Sequence, residues 1–93
     1  MWGLVWVHVG EGARPEAAID RHMALARRCG ATAEYVYRAT DPRDLLLAVR
    51  FPDRAPAEAF LADPELMACL REAGMDRAPS FAVAEVVRPL VGA

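Results

Sequence analysis

The sequence predicts a single α+β domain over residues 1–93, built on one four-stranded antiparallel sheet. Three observations support this fold class. Residues 1–9 alternate with the two-residue period of a strand, residues 14–29 repeat apolar side chains at helical spacing, and residues 32–51 show two strands joined by a turn. With a second helical region and a last strand, the order of elements is β-α-β-β-α-β.

The first strand, Met1–Val9, has no face suited to water. Its alternation places the large side chains on one side: Trp2, Leu4, Trp6 and His8. The other side contains Gly3, Val5, Val7 and Val9. Because a half-exposed strand alternates apolar with polar residues, we expect this strand to be covered on both sides. Helices would cover the valine side, and a ligand or a second copy of the chain would cover the aromatic side.

A helix is predicted from about Arg14 to Cys29. Pro15 suits the first helical turn, where its missing N–H costs nothing, and Gly30 is a natural stop. At about 100° per residue, His22 lies near the centre of an apolar stripe whose other members are Ala18, Ile19, Leu25, Ala26 and Cys29. His22 is therefore predicted to be buried.

Two strands, Thr32–Thr40 and Leu45–Phe51, follow this helix and are predicted to form a hairpin. The connecting residues are Asp41–Asp44, with Pro42 well placed at the second position of a turn. The hairpin supplies two neighbouring strands of the sheet.

The turn sets the register of this hairpin. If Asp41–Asp44 closes it, Tyr37 lies opposite Ala48 and Tyr35 lies opposite Arg50. The other face of the hairpin is then apolar and contains Val36, Leu45, Leu47, Val49 and Phe51. That apolar face is expected under the helices.

Two short helices are predicted between the hairpin and the last strand. Asp63 is expected to cap the second of them, with Pro64 at its first position and Gly74 at its end. The last strand is predicted over Ser80–Val87, where β-branched and small residues mix, and Pro89 helps to terminate it.

A chain with this order folds with its helices on one side of the sheet, which is the ferredoxin-like arrangement. The opposite, open face would contain Trp2, Leu4, Trp6, His8, Tyr35, Tyr37 and Arg50. A monomer rarely exposes so large an aromatic patch, so the patch indicates an interface or a ligand groove. The hydrophobic fraction of 55% exceeds the usual range of about 45–50%, and a homodimer would bury the excess.

Composition argues against several classes of function. The net charge is −2 with both signs interspersed, which disfavours nucleic acid as a partner. The chain has no Lys, Asn or Gln, so it can form no lysine Schiff base and has no side-chain amide to stabilise an oxyanion. The histidines and cysteines lack the spacing of a metal site, and the single serine, Ser80, has no nucleophile motif around it.

Cys29 and Cys69 are predicted to be separate buried thiols rather than a disulfide. No apolar run approaches the roughly 20 residues of a membrane span, and the apolar start of the chain lacks the basic leader of a signal peptide. We expect a cytoplasmic protein with no membrane partner.

Five short segments carry a resemblance to known proteins: Trp6-Val7-His8, Asp20-Arg21-His22, Arg27-Arg28-Cys29-Gly30-Ala31, Ala62-Asp63-Pro64-Glu65-Leu66 and Ala73-Gly74-Met75. In this pattern the chain resembles the small dimeric α+β-barrel proteins, especially the antibiotic biosynthesis monooxygenase-like and polyketide cyclase-like members. The resemblance implies a dimer in which two open sheet faces meet in a barrel. It also implies a pocket in each subunit, either between the sheet and the helices or inside the barrel.

Proteins of this type include oxygenases that use no metal or flavin, cyclases, haem-degrading enzymes and proteins of no known chemistry. The resemblance therefore implies no cofactor for this chain. Haem degradation is disfavoured, because the haem-degrading members rely on an Asn and this sequence contains none.

Two histidines are candidate general bases, since an imidazole accepts a proton near neutral pH. His8 would act from the open face and His22 from the helix side. Either ring could instead be structural, with its hydrogen bonds satisfied in the core or at a dimer interface. Tyr35, Tyr37 and Arg50 are candidates to bind the oxygen substituents of a substrate, or else form a stacking cluster at a subunit contact.

Trp6 is predicted to line a pocket or an interface, and Glu85, on the strand expected beside the first, is predicted to orient His8. The sequence thus predicts a homodimeric, cofactor-independent monooxygenase or cyclase that removes a proton from a hydrophobic, aromatic or polyketide-like molecule. The alternative is a non-catalytic homodimer that binds a small molecule or serves as an interaction module.

Overall fold

The computed structural model describes residues 1–88 and has the predicted order of elements. These elements are β1 (Trp2–His8), α1 (Glu16–Arg28), β2 (Ala33–Arg38), β3 (Asp44–Arg50), α2 (Arg54–Ala62), α3 (Pro64–Ala73) and β4 (Ser80–Ala84). The strands form one antiparallel sheet in the order β2-β3-β1-β4. The predicted ferredoxin-like α+β fold is confirmed. The last strand is shorter than predicted, and Pro89 lies outside the described residues.

One side of the sheet forms the core together with the helices. Val5, Val7 and Val49 are at most 1% exposed, as their alternation along the strands predicts. They belong to the same buried cluster as Phe60 of α2 and Leu66 of α3, and α1 adds Ala18, Leu25 and Ala26. The valine side of β1 is therefore the helix-covered side.

The helix ends follow the expected chemistry. Pro15 immediately precedes α1, and Asp63 caps α3 by accepting a hydrogen bond from the Glu65 N–H at 2.9 Å. Gly74 ends α3 with φ of 96°, a left-handed conformation that favours glycine. Its carbonyl accepts a hydrogen bond from the Gly10 N–H at 2.8 Å, which ties the end of α3 to the chain leaving β1. None of the helices in residues 1–88 has the length and apolar character needed to cross a membrane.

The register of β2 and β3 differs from the prediction by two residues. Tyr35 lies opposite Ala48, so its predicted pairing with Arg50 is wrong. The loop ends one residue earlier than expected, because Asp44 already belongs to β3 and its N–H closes the turn onto the Asp41 carbonyl at 3.0 Å. Since the shift is by an even number of residues, every side chain keeps its predicted face.

The opposite side of the sheet is open, as predicted. Trp6 is 43% exposed, and Tyr35 and Tyr37 are each 51% exposed. Trp2 and the two tyrosines form a row, with ring centroids 6.0 Å apart for Trp2 and Tyr35 and 6.2 Å apart for the tyrosine pair. The single chain thus leaves a broad aromatic surface in contact with solvent.

Candidate functional site

His22 lies inside the molecule between α1 and the sheet, with 1% of its surface exposed. This burial follows from its place on the apolar stripe of α1 and confirms the prediction. Its Nδ1 lies 2.6 Å from Oε1 of Glu34, whose side chain is only 8% exposed. Phe60 packs edge-on against the imidazole, with 5.3 Å between ring centroids. A carboxylate and a phenyl ring therefore fix the imidazole.

Glu34 reaches His22 because it occupies a helix-facing position of β2, opposite Val49. Burial of a carboxylate is unfavourable unless a partner compensates it, and His22 is that partner. Sequence reasoning missed Glu34. The signal was nevertheless present, because the alternation that turns Tyr35 and Tyr37 outward must turn Glu34 inward.

A small cavity lies beside His22, beneath α1 and α3. Its volume is about 10 Å³, close to the space that one water molecule fills. The other side chains around it are apolar or weakly polar: Val7, Ala18, Ile19, Leu45, Leu47, Cys69, Leu70 and Ala73. Nε2 of His22 is buried and has no hydrogen-bond partner within residues 1–88. An unpaired buried polar atom costs about 1–3 kcal/mol, so its presence suggests a functional reason.

His8, at the end of β1, is 5% exposed and has a different environment. Its Nδ1 lies 2.6 Å from Oδ1 of Asp76, and its Nε2 lies 3.9 Å from Oδ2 of Asp41. The Asp76 N–H donates to the His8 carbonyl at 3.1 Å. The side-chain hydrogen bond with His8 lowers the pKa of Asp76. His8 lies on the open side of the sheet, as its alternation with Trp6 predicts, but Asp76 and Asp41 cover its ring there, so it is not part of the exposed aromatic surface.

Glu85 does not reach His8. In the antiparallel pairing of β4 with β1, Ala84 lies opposite Trp2, at the end of β1 remote from His8. Glu85 follows Ala84 and therefore lies beyond that remote end. The prediction that Glu85 orients His8 is wrong, and Asp76 occupies the place expected for it. Asp76 belongs to a loop, where no periodic pattern marks it in the sequence.

The remaining predicted site residues lie on the open face. Trp6 and Tyr37 are in one row of the sheet, with Leu46 of β3 between them. Arg50 lies four residues further along β3 and is exposed, near the opposite end of the sheet. The structure thus places Trp6 and Tyr37 in one row of the open face and Arg50 in another. Binding of substrate by these residues and by Tyr35 stays a prediction.

The two candidate bases cannot serve one substrate within a single chain, because they lie on opposite sides of the sheet. His8 has a carboxylate near each ring nitrogen. His22 has Nδ1 bound to a carboxylate and Nε2 buried without a partner among residues 1–88, and its ring lines an apolar cavity. Nε2 of neither ring forms a hydrogen bond within residues 1–88, and His22 differs in lining an apolar cavity, which makes it the candidate base for a hydrophobic molecule.

The topology and this interior site define a class of protein: a ferredoxin-like α+β fold with a buried histidine between the sheet and the helices. No protein-family model matches the sequence, and no curated protein matches it. Solved structures do share its fold. A variant of SnoaB, a cofactor-independent oxygenase from Streptomyces nogalater, has a TM-score of 0.69 at 17% identity over 96% of this chain and 93% of that chain.

Two further structures extend the comparison. A candidate antibiotic biosynthesis monooxygenase from Nitrosomonas europaea has a TM-score of 0.66 at 14% identity over 95% of this chain and 90% of that one. An uncharacterized NIPSNAP domain protein from Burkholderia xenovorans has a TM-score of 0.52 at 11% identity over 95% and 97% of the two chains. This chain therefore has the fold of the antibiotic biosynthesis monooxygenases, as the sequence resemblance implied.

Proposed function

We propose that this protein is a homodimeric, cofactor-independent enzyme that removes a proton from a hydrophobic, aromatic or polyketide-like molecule, with His22 as the general base. One observation carries the proposal. His22 Nε2 is buried and unpaired among the described residues, beside an apolar cavity, while Nδ1 is bound to Glu34. A base that lines an apolar space suits a hydrophobic carbon acid.

Two reactions share this first step. A carbon between carbonyl groups or in an anthrone-type ring loses its proton to imidazole and becomes an enolate. In a monooxygenase the enolate then donates electrons to molecular oxygen, and in a cyclase it attacks a carbonyl carbon. The likeness of the fold to SnoaB, which is described as a cofactor-independent oxygenase, favours the first course.

Substrate must enlarge the cavity, because about 10 Å³ holds no more than a water molecule. We propose that α1 and α3 separate to admit it, since both helices line the cavity. Two exposed ion pairs join these helices, Arg21 with Glu72 and Arg28 with Glu65. Exposed ion pairs contribute only about 0.2–1 kcal/mol each, so they do not lock the helices together.

The open face supports the dimer in this proposal. Its exposed aromatic residues, with Trp6 at 43% and Tyr37 at 51%, are covered when a second copy packs on the sheet. Trp6, Tyr35, Tyr37 and Arg50 would then lie in the dimer interior. Sedimentation is expected to show a dimer, and Tyr37→Glu is expected to shift it towards monomer by placing a charge in the interface. A wild-type monomer at micromolar concentration would contradict this part of the proposal.

The test of the reaction compares wild-type protein with His22→Gln. The glutamine keeps a hydrogen-bonding group near Glu34 but removes the imidazole. Oxygen uptake with an anthrone-type substrate would report oxygenation, and anaerobic product analysis with a poly-β-ketone would report cyclisation. We expect His22→Gln to lose about 10²- to 10⁴-fold in kcat, the usual contribution of a general base. A folded dimer that turns over neither substrate class would support a non-catalytic binding module instead.

A further inference from the structure

Glu34 stands apart from the rest of its strand. The residues that follow it in β2, from Tyr35 to Arg38, are exposed, whereas the Glu34 side chain is 8% exposed and its Oε1 lies 2.6 Å from His22 Nδ1. A carboxylate in an apolar core is unfavourable unless it forms strong hydrogen bonds. A purely structural role would be served as well by an apolar pair in these two positions. The buried pair therefore suggests a role in the chemistry of the ring.

We infer that Glu34 is a positioning residue that fixes the tautomer of His22. A carboxylate only accepts hydrogen bonds, so Nδ1 of the neutral ring must bear the hydrogen that is donated to Oε1. Nε2 then presents a lone pair beside the cavity. The opposite tautomer would bring the Nδ1 lone pair against the carboxylate and bury an N–H with no acceptor among residues 1–88.

The inference rests on the proposed role of His22 as general base, and it describes how Glu34 assists the proton transfer that begins the reaction. When Nε2 takes the proton, the substrate C–H bond breaks, its electron pair stays on the substrate carbon, and an N–H bond forms. The ring becomes an imidazolium, whose charge the carboxylate stabilises from the Nδ1 side. The Nε2 proton is then free to return to the product. Glu34 never touches the substrate.

Nitrogen NMR of the imidazole groups tests the inference without any substrate. The chain has two histidines, so two ring systems account for all of the imidazole signals. At a pH where His22 is neutral, we expect its Nδ1 to be protonated and its Nε2 to be unprotonated. Glu34→Leu is expected to convert the ring to a mixture of tautomers or to the Nε2–H form, while the His8 signals do not change.

Kinetics supply the second readout. Glu34→Leu is expected to lower kcat about 10- to 100-fold, the usual effect of removing the partner of a functional histidine, with KM changed less than about threefold. Glu34→Gln covers the case in which the leucine variant does not fold. Its amide oxygen can accept the Nδ1–H and keep the tautomer, but it lacks the charge that stabilises imidazolium, so kcat is expected between the wild-type and leucine values. Glu58→Leu removes an exposed carboxylate on α2 and is the matched control.

A protonated Nε2 in the neutral wild-type ring, or an unchanged tautomer in Glu34→Leu, would overturn the inference. An unchanged kcat in both Glu34 variants would overturn it as well. Failure of the proposed function gives a different pattern. In that case His22→Gln retains full turnover, while the NMR still shows Nδ1–H in the wild type.

Discussion

The two histidines of this chain invite comparison, because each has a carboxylate oxygen 2.6 Å from Nδ1. They differ in what surrounds the pair. The partner of His8 is 39% exposed, and a second carboxylate lies 3.9 Å from the other ring nitrogen. The partner of His22 is 8% exposed, the other nitrogen is buried without a partner among residues 1–88, and the ring lines an apolar cavity. The two pairs thus share the first hydrogen bond and differ in the environment of the second nitrogen, and the proposed assignment of His22 as base rests on that difference.

The surroundings of His8 match a structural role. Its ring joins Asp76, in the loop after α3, and lies near Asp41, in the β2–β3 turn. The Asp76 N–H also bonds to the His8 backbone carbonyl, so the loop is attached to β1 twice. His8 thereby holds two loops against the end of the sheet. Nδ1 is bound to Asp76, and Nε2 lies 3.9 Å from the Asp41 carboxylate, which is beyond hydrogen-bond distance.

The largest expected effect is on the free energy of unfolding, and it distinguishes the two histidine–carboxylate pairs. His22→Leu leaves the Glu34 carboxylate buried without its partner, so we expect the free energy of unfolding in urea to fall by about 3–5 kcal/mol. The double variant His22→Leu with Glu34→Leu should recover most of that loss, because an apolar pair fills the space without an unpaired charge. His8→Leu should cost less than His22→Leu, since Asp76 is half-exposed and water can solvate it. Equal losses for the two leucine variants would contradict the comparison.

A second prediction concerns the pH dependence of the stability that the pair of His8 and Asp76 contributes. The folded-state pKa of Asp76 lies below its ordinary value of 3.8, mainly because of the hydrogen bond with His8. The ionised carboxylate therefore stabilises the fold fully above that ordinary value, and this contribution is lost as the pH falls through the folded-state pKa. We expect Asp76→Asn to be less stable than wild type near pH 7, with the difference shrinking as the pH falls below 3.8. A difference that is constant with pH in thermal unfolding would contradict this assignment.

The smallest expected effect concerns access to the His22 cavity. Cys69 lines this cavity, and burial raises the pKa of its thiol, so its reaction with a thiol reagent reports opening of the helices. In a Cys29→Ala background, Glu72→Ala should speed labelling about two- to fivefold by removing its ion pair with Arg21, which joins α1 and α3. Arg54→Ala removes an ion pair within α2 and is the control, with no change expected. Equal rates in all three proteins would argue against entry between α1 and α3.

Much of this arrangement follows from periodicity in the sequence. The helical stripe of α1 predicted that His22 is buried, and the alternation of β1 separated the valine side from the aromatic side. The same alternation in β2 was sufficient to place Glu34 inside. The hairpin register depends on the turn that the hydrogen bond from the Asp44 N–H to the Asp41 carbonyl closes. The composition of this segment is compatible with more than one turn, so it did not determine the register.

The partners of His8 could not be predicted in this way. Asp41 and Asp76 belong to loops, where no period relates a residue to a face of the sheet, and only the packed chain brings them to β1. The sequence favoured Glu85 because it was expected on the neighbouring strand, but the register of β4 puts it at the wrong end. The unpaired Nε2 of His22 depends on the final packing of three helices and three strands. No periodic pattern in the sequence indicates it.

The central claim is that His22, and not His8, removes a proton from a carbon acid. Hydrogen–deuterium exchange at the acidic carbon of an anthrone-type substrate, measured anaerobically in heavy water, isolates that step from oxygenation and cyclisation. The wild type and His8→Gln are expected to accelerate exchange over buffer, whereas His22→Gln is expected to lose about 10²-fold or more of that acceleration. Exchange by His22→Gln at the wild-type rate, or its loss in His8→Gln alone, would contradict the account.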